Sequence, residues 1–395
     1  MKIRKKIAVV IGQINKIGGV GIAAVSEVRE LRKLGMDAEL VVLKRRNDFD
    51  YKSAFQTDDI PVVFLTDSLP KFIGVDFKIP FFSFFSFFHL SSILWAPALI
   101  KKRGYNFILV HETYNCFSAI ACAKRAKAKL LCYIWDPVSY IVPRIYGKKI
   151  PKLIFPLAMV LARIIDKYIL KNCDVVLAGS NLHKDLFYSL DPRVKITILP
   201  AGTAILPRLP SGRKRLIVSL TKWDRGKNPD FLLKIGLKLN GKFKFIIAGN
   251  WIDQKQKEAF EQKIGKMGLN RKIYVVGSVT EEEKFKLFSQ ARVLVHPIIE
   301  AFGMMALEAA GCGCPFIIPK GSGVTELFIN NEHGFFPEEG DLNSFVKKTD
   351  FLLNDEKTSL LMGRKAYNQA INYSWESHAK KIKKIMEEVM DNEKS

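Results

Sequence analysis

Short apolar runs alternate with helical patterns through the first half of the chain. Residues 7–11 form a run without a polar position, which is typical of a strand buried on both faces of a sheet. Apolar residues at helical spacing follow over 22–34, and Gly35 ends that pattern before the next apolar run. A strand, a helix and a strand in this order predict a parallel sheet with a right-handed crossover. The strands predicted in this half are 7–11, 38–43, 107–110, 130–134 and 174–178.

A second series of the same kind begins after residues 207–215, a stretch rich in proline, glycine and basic residues. Its predicted strands are 216–219, 244–248, 273–276, 293–295 and 315–318. With 395 residues, the chain is long enough for two domains. We therefore predict an α/β protein of two Rossmann-like, doubly wound domains, residues 1–205 and 206–374, facing a cleft where the carboxyl ends of the strands bind ligands.

Residues 79–100 are 22 consecutive positions without a formal charge, and they include the aromatic stretch 81–88. Lys101, Lys102 and Arg103 follow at once. The length reaches that of a transmembrane helix, but a proline lies near each end of the stretch. A membrane span, an ordinary buried helix and an amphipathic interfacial anchor all remain open, and aromatic residues beside a basic triplet suit an interface.

The net charge of the chain indicates what kind of partner it binds. Lysine and arginine number 62 against 39 aspartate and glutamate residues, which gives a net charge of +23. Residues 1–205 carry +15 of it, with 31 basic and 16 acidic side chains. A surface of this kind favours an anionic partner, which could be nucleic acid, a nucleotide or an acidic membrane.

Cysteine usage and the N-terminal sequence favour a reducing, cytoplasmic environment. Six cysteines without regular spacing predict no disulfide framework, and Cys312 and Cys314 lack the further ligands that a zinc site needs. We expect no metal site. The apolar run that follows the basic N-terminal residues is too short for a signal peptide.

The stretch richest in candidate chemistry follows the predicted strand 293–295. A loop carries Glu300, a helix begins near Phe302 and Gly303, and Glu308 falls in its second turn. Unpaired N–H groups at a helix start bind phosphate, and a glycine there lets a ligand approach the backbone closely. Two carboxylates nearby can accept hydrogen bonds from the hydroxyls of a sugar nucleotide. Each could equally be an ordinary surface carboxylate.

A second candidate loop follows the first strand of the second domain. It contains Lys222, Arg225 and Lys227, and Pro229 suits the first turn of a helix that follows. Two or three cations in one loop can neutralise a diphosphate. Singly, each lysine is more often a solvated surface charge.

These motifs together resemble the retaining nucleotide-sugar glycosyltransferases of family four, which have the two-domain architecture called GT-B. Glu300 and Glu308, at Glu-x7-Glu spacing in a Glu-Ala-Phe-Gly…Leu-Glu-Ala-Ala-Gly sequence, resemble the signature of that family. The resemblance implies that a last helix, 375–395, crosses back to complete the first domain. Further segments that resemble family elements, in the same order, are 18–20, 199–202, 321–326, 331–335 and 373–376.

The resemblance also implies roles for residues of the second domain in binding the donor. Glu308 would hold the ribose hydroxyls, and Glu300 would contact the donor sugar near the backbone from Phe302 through Gly303 to Met304. Lys222 and Lys227 correspond to a pair that binds the diphosphate and stabilises the leaving group. The family usually has arginine at the first position of that pair, and Arg225 can supply the missing guanidinium fork.

In the first domain, the resemblance implies that Gly19 brings its N–H to the phosphate or the acceptor. His111 follows a predicted buried strand and resembles a histidine element near the reacting centre, although a lone histidine there is more often structural. The catalytic residues implied are thus His111, Glu300 and Lys227, with the cations doing the work of a metal.

The predicted function is transfer of a sugar from a UDP- or GDP-linked donor to an acceptor hydroxyl, with retention and without a further cofactor. Basic charge and aromatic residues in the acceptor-binding domain favour a lipid-linked or cell-envelope glycan acceptor. They also favour peripheral association with the inner face of the cell membrane. Two alternatives stay open: a nucleotide-sugar epimerase or sugar phosphorylase on the same architecture, and a nucleic-acid-binding protein, for which no binding motif is present.

Overall fold

The computed structural model describes residues 5–14, 18–45, 50–70, 78–79, 82–147 and 150–391; for 78–79, 82–87, 145–146 and 225 it describes the backbone alone. The chain divides into two compact units. Unit 1 comprises Met1–Gly202 with Trp375–Ser395, and unit 2 comprises Thr203–Ser374. Each contains a parallel sheet with helices, so the predicted fold class is confirmed.

The strands of unit 1 are β1 (Lys6–Gln13), β2 (Asp37–Lys44), β3 (Val62–Phe64), β4 (Lys78–Ile79), β5 (Phe82–Ser86), β6 (Phe107–His111), β7 (Lys129–Tyr133), β8 (Val175–Ala178) and β9 (Ile196–Ile198). Seven of them form one sheet in the order β3-β2-β1-β6-β7-β8-β9, with every pairing parallel. β4 and β5 form a separate antiparallel pair. The sequence predicted the five longest strands of this sheet, and it missed the short strands β3 and β9.

Helices cover both faces of the unit 1 sheet, which is why its strands are apolar throughout. Ile7 and Val9 belong to the core beneath α1 (Gly19–Lys33) and α14 (Trp375–Asp391). Ala8 and Val10 belong to the core beneath α3 (Phe87–Lys101) and α4 (Cys116–Ala126), as the alternation of a strand requires. The helices of the unit are α1 (Gly19–Lys33), α2 (Tyr51–Phe55), α3 (Phe87–Lys101), α4 (Cys116–Ala126), α5 (Val138–Ile141), α6 (Phe155–Lys171), α7 (Asn181–Leu190) and α14 (Trp375–Asp391).

The uncharged stretch 79–100 ends in a helix packed on the sheet. Phe88, Ala96 and Ile100 of α3 are buried in the core that α3 shares with α4. In the part of the chain that the structure describes, no helix is long and apolar enough to cross a membrane. Of the aromatic stretch 81–88, only the Phe88 side chain lies within the described residues, so the interfacial anchor predicted there is not tested.

Unit 2 has a six-stranded parallel sheet in the order β12-β11-β10-β13-β14-β15. The strand order reverses direction between β10 and β13, which pair in parallel at the centre. The strands are β10 (Lys214–Leu220), β11 (Lys244–Ala248), β12 (Ile273–Val275), β13 (Ala291–Val295), β14 (Phe316–Ile317) and β15 (Gly334–Phe335). The helices are α8 (Pro229–Lys238), α9 (Gln254–Lys266), α10 (Glu281–Gln290), α11 (Met304–Gly311), α12 (Leu342–Asn354) and α13 (Glu356–Ala370).

The structure contains one cysteine pair that the sequence did not predict. The structure joins Cys132 of β7 to Cys173, which lies just before the neighbouring strand β8. The pairing of β7 with β8 brings together two cysteines 41 residues apart, a proximity that their spacing in the sequence does not reveal. The free cysteines among the described residues, which include Cys312 and Cys314, are buried.

Candidate functional site

The two loops with candidate chemistry in unit 2 follow its two central strands. The loop that contains Lys222, Arg225 and Lys227, here called the lysine loop, follows the carboxyl end of β10. The loop that contains Glu300 follows the carboxyl end of β13. Two helix–strand pairs and a further helix separate these strands along the chain, yet they are direct neighbours in the sheet. In doubly wound sheets, ligands bind where the strand order reverses, because the connections there diverge to opposite faces.

Lys227 and Glu300 meet across this point. The ammonium nitrogen Nζ of Lys227 lies 2.6 Å from Oε1 of Glu300. The Lys227 backbone is fixed by Asp224, whose Oδ1 accepts its N–H at 3.1 Å. Asn228, with φ of +47°, then turns the chain into α8. The sequence proposed both residues for the donor site, and the structure brings them into direct contact.

His296 is a third member of this cluster. It follows β13 directly, is buried, and places Nε2 2.7 Å from the same Oε1 of Glu300. Burial alone would raise the pKa of Glu300, but the imidazole and the Lys227 ammonium lower it to about 2. Glu300 is therefore a carboxylate at neutral pH and can accept hydrogen bonds from hydroxyl groups.

The start of α11 is held close to Glu300. Gly303 precedes the helix with φ of +100°, a left-handed conformation that favours glycine. A Cβ on Gly303 would lie 3.6 Å from the Cβ of Glu300 and only 3.1 Å from the side chains of Ile318 and Val324. Since Gly303 offers no side-chain cap, the first N–H groups of α11, beginning with Met304, form the kind of end that binds an anion.

Backbone hydrogen bonds fix the loop that leads to this helix. The N–H of Gly323 donates to the carbonyl of Glu300 at 3.1 Å, and that of Val324 donates to the carbonyl of Phe302 at 2.6 Å. The Ser322 hydroxyl accepts from the N–H of Glu300 at 3.1 Å. The glycine-rich segment 321–326 therefore supports the loop, and the Phe302 side chain is buried.

Glu308 lies in the second turn of α11 and is only 5% exposed. Its Oε1 accepts a hydrogen bond from Nζ of Lys284 at 2.7 Å. Burial raises the pKa of Glu308, and the Lys284 ammonium opposes this rise. For Lys284, burial lowers the pKa, but the carboxylates of Glu308 and Glu281 outweigh burial and raise it. Lys284 thus stabilises the charged form of a carboxylate that burial disfavours.

The lysine loop contains two further cations, Lys222 and Arg225. Lys222 is exposed at the carboxyl end of β10. The backbone of Arg225 lies in a short 3-10 turn, Arg225–Lys227, and its side chain is outside the described residues. Alanine variants of Lys222 and Arg225 can show which of the two assists Lys227 in binding the diphosphate.

His111 ends β6 in unit 1 and is fully buried. Its Nε2 lies 2.7 Å from Oε2 of Glu27, and the indole N–H of Trp135 points to its Nδ1 at 3.4 Å. The other carboxylate oxygen, Oε1, lies 2.9 Å from Nε2 of His378, whose Nδ1 lies 2.8 Å from the carbonyl of Pro200. The Glu27 carboxylate of α1 therefore links His378 of α14 to His111 of the sheet.

The donor and acceptor roles in this cluster follow from its oxygens. The two imidazoles outweigh burial and lower the pKa of Glu27 to about 2, so its oxygens only accept. The two ring nitrogens of His378 both face oxygen atoms, Nε2 that of Glu27 and Nδ1 that of Pro200. His111 faces the Glu27 carboxylate through Nε2 and the indole N–H of Trp135 through Nδ1.

The residue after His111 is strained. Glu112 has φ of +70°, and strain of this kind concentrates at functional sites. Burial raises the pKa of its carboxyl, which accepts a hydrogen bond from Nδ2 of Asn115 at 3.0 Å. Glu112 lies at the carboxyl end of β6, beside β1, whose following loop leads to the exposed Gly19 at the start of α1.

Sequence reasoning missed Lys284 and His296 as members of the site. His296 carried a signal, since it follows a buried strand directly and precedes Glu300 by four residues. Lys284 lies in an acidic helix, a setting that is typical of a solvated charge. Only the packing of α10 against α11 reveals that it pairs with Glu308.

We expect Lys284→Met to lower the free energy of unfolding by about 2–3 kcal/mol at pH 7, because it leaves a buried carboxylate without its partner. The loss is limited because Glu308 can take up a proton. Adding Glu308→Gln to this variant should recover most of the loss, which urea denaturation of the single and double variants measures. If the double variant lost as much stability as Lys284→Met, the unpaired Glu308 carboxylate would not be the cause of the loss.

Two family profiles together match most of the chain. Residues 206–369 match the family described as Glycosyl transferases group 1. Residues 17–204 match the family described as Glycosyltransferase Family 4. The first match contains Glu300 and Glu308, and the second contains His111.

Curated relatives match over part of their length. The D-inositol 3-phosphate glycosyltransferase of Corynebacterium jeikeium is 21% identical over 252 residues, which are 58% of this chain and 60% of the relative. The phosphatidylinositol N-acetylglucosaminyltransferase GPI3 subunit of Saccharomyces cerevisiae is 26% identical over 241 residues, 55% of this chain and 51% of the relative. This chain therefore spans about half the length of these relatives.

A solved structure matches over nearly the whole chain. Anabaena HepE in complex with UDP and glucose has a TM-score of 0.75 at 15% identity, covering 97% of this chain and 100% of its own. At that identity the likeness shows the GT-B fold alone. The two family profiles, in contrast, match the sequence itself. They show that the chain belongs to the group 1 glycosyltransferases of the family-four type.

Proposed function

We propose that this protein transfers a sugar from a UDP- or GDP-linked donor to a hydroxyl of an acceptor, with retention of anomeric configuration and without a further cofactor. The observation that carries the proposal is the contact of Lys227 with Glu300 beside Gly303, at the point where the strand order of unit 2 reverses. A cation, a carboxylate and a helix start in one place match the charges and hydroxyls of a nucleotide sugar.

In this proposal the donor lies on unit 2. Glu308 accepts hydrogen bonds from the ribose hydroxyls, and Glu300 accepts them from the sugar near the backbone of Phe302, Gly303 and Met304. Lys227 exchanges Glu300 for the diphosphate when the donor binds, and Lys222 or Arg225 assists it. The HepE complex with UDP and glucose supports a uridine nucleotide as the first donor to test.

The reaction forms a bond between the acceptor oxygen and the anomeric carbon, and it breaks the bond from that carbon to the diphosphate. The acceptor proton leaves with the nucleoside diphosphate. Negative charge grows on the leaving oxygen, so an ammonium fixed beside it stabilises the transition state more than the ground state. We assign this role to Lys227.

Unit 1 is proposed to bind the acceptor, with His111 at the carboxyl end of β6 and with Gly19, at the start of α1, bringing its N–H to the donor phosphate or the acceptor. His111 can reach a substrate only if its ring leaves Glu27, since both nitrogens have partners in unit 1. If its role is catalytic, His111→Ala should reduce turnover beyond what the lost stability explains. His378→Ala, which disturbs the same carboxylate, serves as the matched control.

A lipid-linked or cell-envelope acceptor and peripheral association with the inner face of the membrane complete the proposal. The net charge of +15 on residues 1–205 supports an anionic surface as partner. The name of the yeast relative, which contains phosphatidylinositol, supports a lipid acceptor.

The proposal is tested by measuring free nucleoside diphosphate from UDP- and GDP-sugars, with and without dispersed membrane lipids as acceptors. We expect release of the diphosphate that depends on the acceptor. Formation of an isomeric nucleotide sugar without release would indicate an epimerase. Formation of a free sugar phosphate that requires inorganic phosphate would indicate a phosphorylase.

A further inference from the structure

Helix α6 of unit 1 is apolar on its outer face as well as its inner one. Its inner face buries Ala158, Ala162 and Ile169. Of the twenty large apolar side chains exposed among the described residues, seven lie within 153–168. These seven are Leu153, Ile154, Leu157, Val160, Leu161, Ile164 and Tyr168, and we call them the α6 stripe.

The spacing of the α6 stripe places its members side by side. Positions 157, 160, 161, 164 and 168 recur every three or four residues, so they lie along one side of the helix. Leu153, at the start of the stripe, is 94% exposed. A contiguous apolar surface of this kind on a folded protein marks an interaction site, whereas scattered single residues do not.

The charged residues beside the α6 stripe indicate an anionic partner. Lys152, Arg163, Lys167 and Lys171 are exposed along the same segment. The one acidic residue within 151–171 is Asp166, which is buried and accepts the backbone N–H groups of Val138 and Ser139. An apolar stripe bordered by cations without exposed acids complements a surface with negative headgroups over hydrocarbon.

We propose that the α6 stripe docks unit 1 on an anionic membrane, with its apolar side chains among the acyl chains and the neighbouring cations at the headgroups. The helix lies in the plane of the interface and does not cross it. The proposal rests on the membrane association proposed above and assigns it to α6, a segment distinct from the aromatic stretch 81–88.

The test is sedimentation with vesicles of phosphatidylcholine, with and without phosphatidylglycerol, for the full chain and two matched variants. Leu157→Glu/Ile164→Glu alters the stripe. Leu237→Glu/Ile329→Glu adds the same charge at comparably exposed positions of unit 2, which are 50% and 58% exposed. We expect the wild type and the unit 2 variant to bind the anionic vesicles, and the stripe variant to bind them about tenfold or more weakly.

Two further measurements separate this proposal from its alternatives. Nucleotide-sugar binding should be the same in the stripe variant and the wild type. If the wild type binds no nucleotide sugar, that result counts against the proposed function and not against the membrane role of the α6 stripe. Sedimentation velocity should show that the wild type and the stripe variant have the same oligomeric state. Wild-type dimers that the stripe variant abolishes, or vesicle binding that it leaves intact, would overturn the membrane assignment.

Discussion

Glu27→Gln should lower the free energy of unfolding by about 3–5 kcal/mol at pH 7, because it removes one partner from a fully buried charged cluster. His111 and His378 would both lose the carboxylate that their Nε2 atoms face. Glu376→Gln, an exposed carboxylate on α14 that pairs with Lys380, is the matched control and should change stability little. Urea denaturation followed by circular dichroism measures both.

The effect of Glu27→Gln should depend on pH. The folded state lowers the pKa of Glu27 from 4.5 to about 2, so its contribution is fully present above pH 4.5 and is lost as the pH falls towards 2. By linkage this shift is worth about 3 kcal/mol, in line with the loss expected on substitution. The wild type and the variant should therefore converge in acid, and a difference that persists at pH 2 would contradict the assignment.

Lys227→Ala should reduce turnover by about 10²–10³-fold while leaving the fold intact, since a fixed charge beside the leaving group acts mainly in the transition state. The effect on donor affinity should be smaller than the effect on kcat. Lys234→Ala, which removes an exposed cation from α8 near the same loop, is the control and should retain activity. A Lys227→Ala enzyme with wild-type kcat would remove Lys227 from the mechanism.

The same assay decides which cation assists Lys227. A silent Lys222→Ala together with a severe Arg225→Ala would assign the diphosphate to the guanidinium of Arg225. The reverse result would show that the ammonium of Lys222 replaces the arginine usual in the family.

Periodicity predicted the longer strands because buried parallel strands are apolar at every position. It could not predict that β10 and β13 are neighbours, since strand order depends on crossovers and not on local pattern. Glu300 and Lys227 were predicted as candidates from their loops, but their contact follows from that strand order. Lys284 was missed for a related reason, because its partner Glu308 is 24 residues away on another helix.

Unit 1 shows the same limit of local patterns. The resemblance pointed to His111, but the buried carboxylate of Glu27 and the ring of His378 come from helices at opposite ends of the chain. The α6 stripe also escaped notice, because an apolar helix segment in a sequence does not reveal which of its faces is covered. Only the packing of α6 in the folded chain distinguishes its outer face from the core.

Calorimetric titration of nucleotide sugars into the wild type, Glu308→Gln and Lys234→Ala tests the central claim most directly. We predict that at least one UDP- or GDP-linked sugar binds the wild type and Lys234→Ala with equal affinity. Glu308→Gln should bind that donor about 10- to 100-fold more weakly, because charge-assisted hydrogen bonds to the ribose hydroxyls are lost. Equal affinity in Glu308→Gln, or no binding of any such donor to the wild type, would contradict a nucleotide-sugar site in unit 2.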